Sequence, residues 1–221
     1  MSDEHSTVDG TLIEAWASQK SFQPKDGPPS GDGRDFRGQQ RRNDTHASKT
    51  DPDAKSYRRT HHGEARLAYL GHVLIENRHG LIVDSMATQA DGTAERDAAM
   101  LMLDGARRQA PWRRRTIGAD KGYDTHDLSP SFRELGVTPH VTQNVTRTGG
   151  SAIDGRTTRH PGYAQSQHAW PRIEPAFGWL KTIAWLRKVK LRGLPKVDWL
   201  LVFAAAAFNL KRLPKLLATP A

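Results

Sequence analysis

Residues 6–17 alternate apolar and polar, with Val8, Leu12 and Ile13 as the apolar positions, and this predicts a first strand. From about residue 22 to 62 the pattern is lost. Gly, Pro, Asp, Arg and Ser dominate there (KDGPPSGDGRDFRGQQRRNDTHASKTDPD), and apolar residues are too sparse for a core. That segment is expected to be a long, basic loop insertion, disordered on its own. Two apolar, β-branched runs follow, 67–76 (LAYLGHVLIE) and 81–88 (LIVDSMAT), separated by Asn77-Arg78-His79-Gly80. They read as paired strands around a short polar turn. Residues 93–109 have helical spacing, with Ala94, Ala98, Leu101 and Ala106 on one face and Asp91 and Thr93 at the cap. Residues 116–119 read as a short strand ending at Asp120, 128–135 as a helix closed by Gly136, and 137–141 as another strand. The polar, Gly-rich stretch 142–160 reads as loop. Two helices close the chain, one through about 175–190 and one from Pro195 to about Arg212, where proline suits a first turn.

The order is therefore β, insertion, β, β, α, β, α, β, α, α. Three early strands followed by alternating helices and strands imply an α/β fold, a mixed sheet flanked by helices. The pattern resembles a ribonuclease-H-like domain. The whole chain, 1–221, reads as one such domain, with the insertion at 22–62 and basic C-terminal helices at 175–213.

Composition narrows the classes. The chain has 221 residues, enough for a real core, and no cysteine, which excludes disulfides and thiolate metal sites. A mean hydropathy of −0.69 fits much loop or solvated surface. MSDEHSTVDG lacks the apolar centre of a signal peptide, and the longest apolar run, 199–208, is too short to span a bilayer. Net charge is +9, and its distribution says more than its sum. After Glu174 come Lys181, Arg187, Lys188, Lys190, Arg192, Lys196, Lys211, Arg212 and Lys215 against one acid, Asp198. Trp170, Trp179, Trp185 and Trp199 fall in or beside the same stretch. A basic end interleaved with aromatics is the footprint of a polyanion partner, weighed against a merely solvated face.

Three acidic positions carry candidate chemistry. Asp9 is an odd residue inside an apolar strand. Asp120 ends another strand, and Gly122 beyond it suits a tight turn; a capping aspartate explains it as well as a ligand does. Glu174 stands at a helix start, where the helix dipole alone would favour a carboxylate. Phe177, Leu180 and Ala184 form that helix's packing stripe. Glu174, Gly178, Lys181 and Trp185 share another face, with Lys181 roughly 10 Å along the axis from Glu174. Carboxylates in a basic chain suit Mg²⁺, which takes hard oxygen ligands and leaves room for phosphate oxygens. His61-His62-Gly63-Glu64 reads as surface rather than a metal cluster, and Glu76 and Asp84 as core-edge residues.

VDGTLIEAWASQKSF, TDPDAKSYRR, ENRHGLIVDSMATQADGTAERDAA, GADKGYDT, RIEPAFGWLKT and LRKVKLRG…FNLKRLPKLL together resemble the catalytic part of a bacterial insertion-sequence transposase of the DDE type, the IS-five family. The resemblance runs along nearly the whole chain. It implies a ribonuclease-H-like fold with Asp9, Asp120 and Glu174 as catalytic triad and ligands of two Mg²⁺ ions, for which Mn²⁺ substitutes. It implies nicking at transposon ends, then attack of the freed 3′-hydroxyl on target DNA. The implied partners are DNA, as terminal inverted repeats and target, and a second copy of the chain. Lys181, Arg172, Arg187, Lys188, Lys190 and Arg192 are the expected DNA contacts, and the implied setting is the bacterial cytoplasm, associated with the nucleoid. Three features depart from the family. Gln167 and Trp170 stand where relatives carry a tyrosine and an arginine, although Lys181 matches the expected lysine. Pro171 and Pro175 bracket Glu174, so its helix is expected to start late and leave it at the rim. Only eight residues precede Asp9, where relatives place a DNA-binding segment, so the chain reads as the catalytic portion alone. A truncated remnant that only binds DNA is the alternative, and an RNA-directed nuclease a third reading.

Overall fold

The computed structural model describes residues 5–26, 41–58, 63–109 and 115–218. Along them run β1 (His5–Glu14), β2 (Phe22–Pro24), β3 (His46–Ser48), β4 (Lys55–Tyr57), β5 (Arg66–Glu76), β6 (Ile82–Gln89), α1 (Ala94–Gln109), β7 (Arg115–Ala119), α2 (Leu128–Glu134), β8 (Val137–Val141), α3 (Gly155–Thr158), α4 (Pro161–Ala169), α5 (Glu174–Thr182) and α6 (Leu194–Ala218). Six strands form one mixed sheet with β1 at its centre. On one side β5 runs antiparallel to β1, from Ser6↔Glu76 to Glu14↔Ala68, and β6 and β4 pair antiparallel with its outer edge. On the other side β7 runs parallel to β1, and β8 parallel to β7.

Alternation along the strands sorts the core into two layers. Val8, Leu74, Ile117, Val137 and Val141 face α1 and α2, packing on Met102, Leu103 and Phe132. Ile13, Tyr69, Val73 and Ile75 face the opposite way, onto α5 and α6, through Ala176, Phe177, Leu180, Leu201 and Phe208. Asp9 shares the parity of Ile13 and so belongs to the α5 side. Helix α6 also closes an exposed edge. Asp198 accepts the Ala87 N–H at 2.7 Å, and the Asn209 amide both donates to and accepts from the Ile82 backbone at 2.8 Å. The outer strand β6 is thereby covered rather than left open for pairing. Among the described residues no helix is long and apolar enough to cross a membrane.

Several expectations need correction. The first strand ends at Glu14 rather than at residue 17. The segment 22–62 is not all loop: β2 and β3 pair with each other, β4 joins the main sheet, and Phe22 and Ala54 enter the core. Polar anchoring compensates for its sparse apolar residues. Asp51 accepts the Tyr69 hydroxyl at 2.7 Å and the Gly193 N–H at 3.1 Å, while Asp53 accepts the Leu194 N–H at 2.8 Å, at the start of α6. His61 and His62, with residues 27–40, lie outside the described residues. Leu101 is exposed, because α1 turns Met102 and Leu103 inward instead.

The helix expected through 175–190 stops at Thr182. Trp185 takes a left-handed φ of 56°, and Arg187–Val189 instead bond the end of β1, through Glu14 N–H to Arg187 O at 3.1 Å and Val189 N–H to Glu14 O at 3.0 Å. The strand edge outcompetes further helix, so Trp185 does not share a helical face with Glu174. Helix α3 falls inside the stretch 142–160 expected to be loop, and α4, just beyond it, has only Ser166 buried and hence no apolar stripe to announce it. The final helix extends past Arg212 to Ala218.

Candidate active site

Asp9 and Asp120 come from residues 111 positions apart and meet through strand register. The parallel pairing of β1 with β7 sets Thr7 opposite Gly118. Carried on by two residues, it sets Asp9 beside Asp120. Asp9 Oδ1 accepts the Gly10 N–H at 2.7 Å. Gly10 has a second use: a Cβ there would lie 2.7 Å from Glu95 Oε1, so its absence lets this α1 carboxylate rest against β1. Asp120 is extended (φ −73°, ψ 175°) and caps the 3₁₀ turn Lys121–Tyr123, with Oδ1 accepting the Gly122 N–H at 2.7 Å. The capping role weighed from the sequence is therefore real, and it fixes the carboxylate at the strand end.

Negative potential collects here. The Tyr123 phenol is pushed well above its ordinary pKa, first by burial and then by the charges of Glu95, Asp9 and Asp120. Its hydroxyl is buried without a hydrogen-bond partner among the described residues. Next to it Asp124, almost wholly buried, ties down the loop after β8 by accepting the Asn144 N–H at 2.6 Å and the Ala152 N–H at 2.8 Å.

Glu174 opens α5 on the same side of the sheet as Asp9, with Pro175 in the first turn, and its side chain is exposed. Proline costs nothing at that position, where the N–H has no helical partner. Among the described residues no three Asp, Glu or His side chains are close enough to share a metal ion. The structure thus brings Asp9 and Asp120 together and leaves Glu174 outside that pair.

The family profile described as "Transposase DDE domain" matches residues 3–210. The chain belongs to the transposase DDE domain family. This DDE domain is also similar to the transposase in "Mos1 transposase paired-end complex with left transposon end", at 10% identity and a TM-score of 0.33, over 95% of this chain and 53% of that one. A second similarity is to "Cryo-EM structure of piggyBac transposase synaptic complex with hairpin DNA (SNHP)", at 9% identity and a TM-score of 0.43, over 96% and 48%. This DDE domain spans about half the length of both chains. No curated protein matches it.

The basic residues of the DDE domain are not equivalent. Arg187, Lys190 and Arg192 are exposed, and Arg192 Nε donates to Trp16 O at 3.4 Å. Lys188 pairs with Glu14 at 2.7 Å. Arg172 is turned to the Asn77 carbonyl at 2.8 Å. Lys181 lies in the last turn of α5. Sequence reasoning missed Glu95, Tyr123 and Asp124. Tyr123 and Asp124 sit within the GADKGYDT motif, whereas nothing in the spacing places Glu95 beside Asp9.

Proposed function

We propose that the chain is a DNA transposase catalytic domain with a ribonuclease-H-like fold, in which Asp9, Asp120 and Glu174 serve metal-dependent cleavage and strand transfer at insertion-sequence ends. The adjacency of Asp9 and Asp120, in a chain of the transposase DDE domain family, carries this reading. Hard carboxylate oxygens, whose charges add to burial in raising the Tyr123 phenol, fit Mg²⁺ or Mn²⁺. Bound there, such a cation activates an attacking oxygen and stabilises the leaving one. The chain's own part is placement. β1 and the capped turn after β7 fix two carboxylates at one rim, and Glu174 would be the third residue to hold the ion. Lys181, Arg172, Arg187, Lys190 and Arg192 contribute phosphate contacts on DNA, Lys188 does so only where DNA displaces Glu14 from it, and two copies act together on the DNA.

Incubation with supercoiled plasmid and Mg²⁺ or Mn²⁺, beside the Asp120→Ala variant, tests this. Nicking by the wild type alone supports it, and equal nicking by both would overturn it. The separation of Glu174 from the aspartate pair favours a second reading, a remnant that binds DNA without cutting it. DNA bound at low salt, with neither protein nicking, would select that reading.

A further inference from the structure

At the opposite end of β1 and β7 from the aspartates, two cavities of about 690 and 500 Å³ adjoin and share Thr116, His140 and His160 as walls. Arg115, Arg133 and Arg156 face the larger, and Arg78 and Arg172 the smaller. Asp154 is the one carboxylate on these described walls. It offsets one of the five arginines, pairing with Arg156 at 2.9 Å, and also accepts the Thr157 N–H at 3.1 Å.

We propose that this twin cavity binds a phosphate group, supplied either by a nucleic-acid backbone or by a free phosphorylated ligand. The inference does not rest on the function proposed above. Guanidinium forks match phosphate oxygens in shape and charge, and the Thr116 and Thr138 hydroxyls add neutral donors. Three histidines complete the wall. The His140 ring contacts Ser166 Oγ through Nδ1 and lies 6.2 Å from the His160 ring. Burial, then the nearby His5 and His160, hold His140 down to about 4. Burial and Arg172 lower His5, whose Nε2 is buried with no hydrogen-bond partner among the described residues. The His140 and His5 rings, held neutral among arginines, are what a dianion would reverse: its charge favours protonation, so binding takes up protons and tightens as pH falls.

Sulfate is the probe, because it stays dianionic wherever histidines titrate. Ring signals of His140 and His160 are followed by NMR as sulfate is added, in the wild type and in R133A/R156A. Both substituted side chains are exposed, and circular dichroism checks the fold. Sulfate is expected to shift both rings and raise the His140 midpoint, with affinity falling about tenfold or more in the double variant. Unmoved rings, or equal sulfate affinity in the double variant, would overturn the proposal. Pyrophosphate and a short single-stranded oligonucleotide then identify the source. Ring shifts with the oligonucleotide, lost in R133A/R156A, assign a backbone phosphate; shifts with pyrophosphate alone assign a free ligand.

Discussion

The two ends of the β1–β7 pairing carry opposite chemistry. Where the pairing finishes, beyond Thr7 and Gly118, the register sets Asp9 beside Asp120, and Glu95 rests against Gly10 from α1. Where they begin, His5 lies opposite Thr116, next to Arg115 and the other arginines of the twin cavity. His5 and Asp9 are four residues apart, roughly 13 Å along a strand. Parallel pairing causes this sorting, because it places start beside start and end beside end. One register therefore builds a negative rim suited to cations and a positive end suited to anions, too far apart to cancel.

The largest expected effect breaks one end and spares the other. Asn at either aspartate keeps the local backbone acceptor but removes the charge. D9N and D120N should each lower plasmid nicking by more than the roughly 10–100-fold that loss of a supporting group around a metal costs. Mg²⁺ or Mn²⁺ should raise the melting midpoint of the wild type and leave those of D9N and D120N unmoved. Sulfate-induced shifts of the His140 and His160 rings should persist in both variants. Loss of metal and sulfate responses together would mean that the two ends are not independent.

Asp124 connects them. It holds the loop that leaves β8 at the negative rim and leads down to Arg156 and His160. Asp124→Ala leaves the Asn144 and Ala152 N–H groups without their acceptor. At about 1–3 kcal/mol for each buried unsatisfied group, two groups set an upper range of roughly 2–6 kcal/mol, and because both N–H groups are part-buried the fall in urea unfolding should lie toward its lower end. Sulfate affinity should weaken as well, although Asp124 lines neither cavity.

Acid sensitivity separates the cationic end from the rest of the core. His72 and His140 are both held near 4, each mainly by burial, against an ordinary value near 6.5. Below about 6.5 the unfolded chain takes up protons that the fold refuses, so stability falls as pH drops toward 4; above 6.5 these two groups add no slope. Urea midpoints across that interval measure it. His72 bonds the Thr88 hydroxyl at 2.8 Å on the face toward α1, away from the cavity. Sulfate should therefore recover the His140 share of the loss, and H72Q should remove a share that sulfate does not touch.

These differences mark what the residues alone reveal. Strands β5, β6, β7 and β8 are legible because buried strands need continuous or alternating apolar positions, and little else in the chain has that pattern. Asp9 and Asp120 stand out as polar residues at strand positions, but their adjacency depends on a register that only the folded pairing fixes. Leu101 illustrates a finer limit: neighbouring apolar residues on a helix compete to face inward, and tertiary packing chooses Met102 and Leu103. The cationic end is less legible still. His5, Arg115, Arg133, His140, Arg156 and His160 come from separate elements or the turns between them, and they share no spacing. Helix α4, with one buried side chain, offers no periodicity at all.

The smallest effect concerns the basic segment after α5, where charge and use come apart. Burial alone would raise the Glu14 carboxyl, but Lys188 at 2.7 Å and Arg66 at 3.0 Å outweigh it and hold the group below its usual value. The segment itself is fastened by backbone bonds between Glu14 and residues 187 and 189. Lys188→Ala should therefore cost less than about 1 kcal/mol, as exposed ion pairs do. Its charge already has a partner, so the salt dependence of duplex binding should change by less than the unit of slope, about 1, expected for a lysine on a phosphate. Lys190→Ala, at an exposed neighbour, should lower that slope by about 1. Equal changes in both variants would show that DNA displaces Glu14 from Lys188, and the segment would then act as one basic surface.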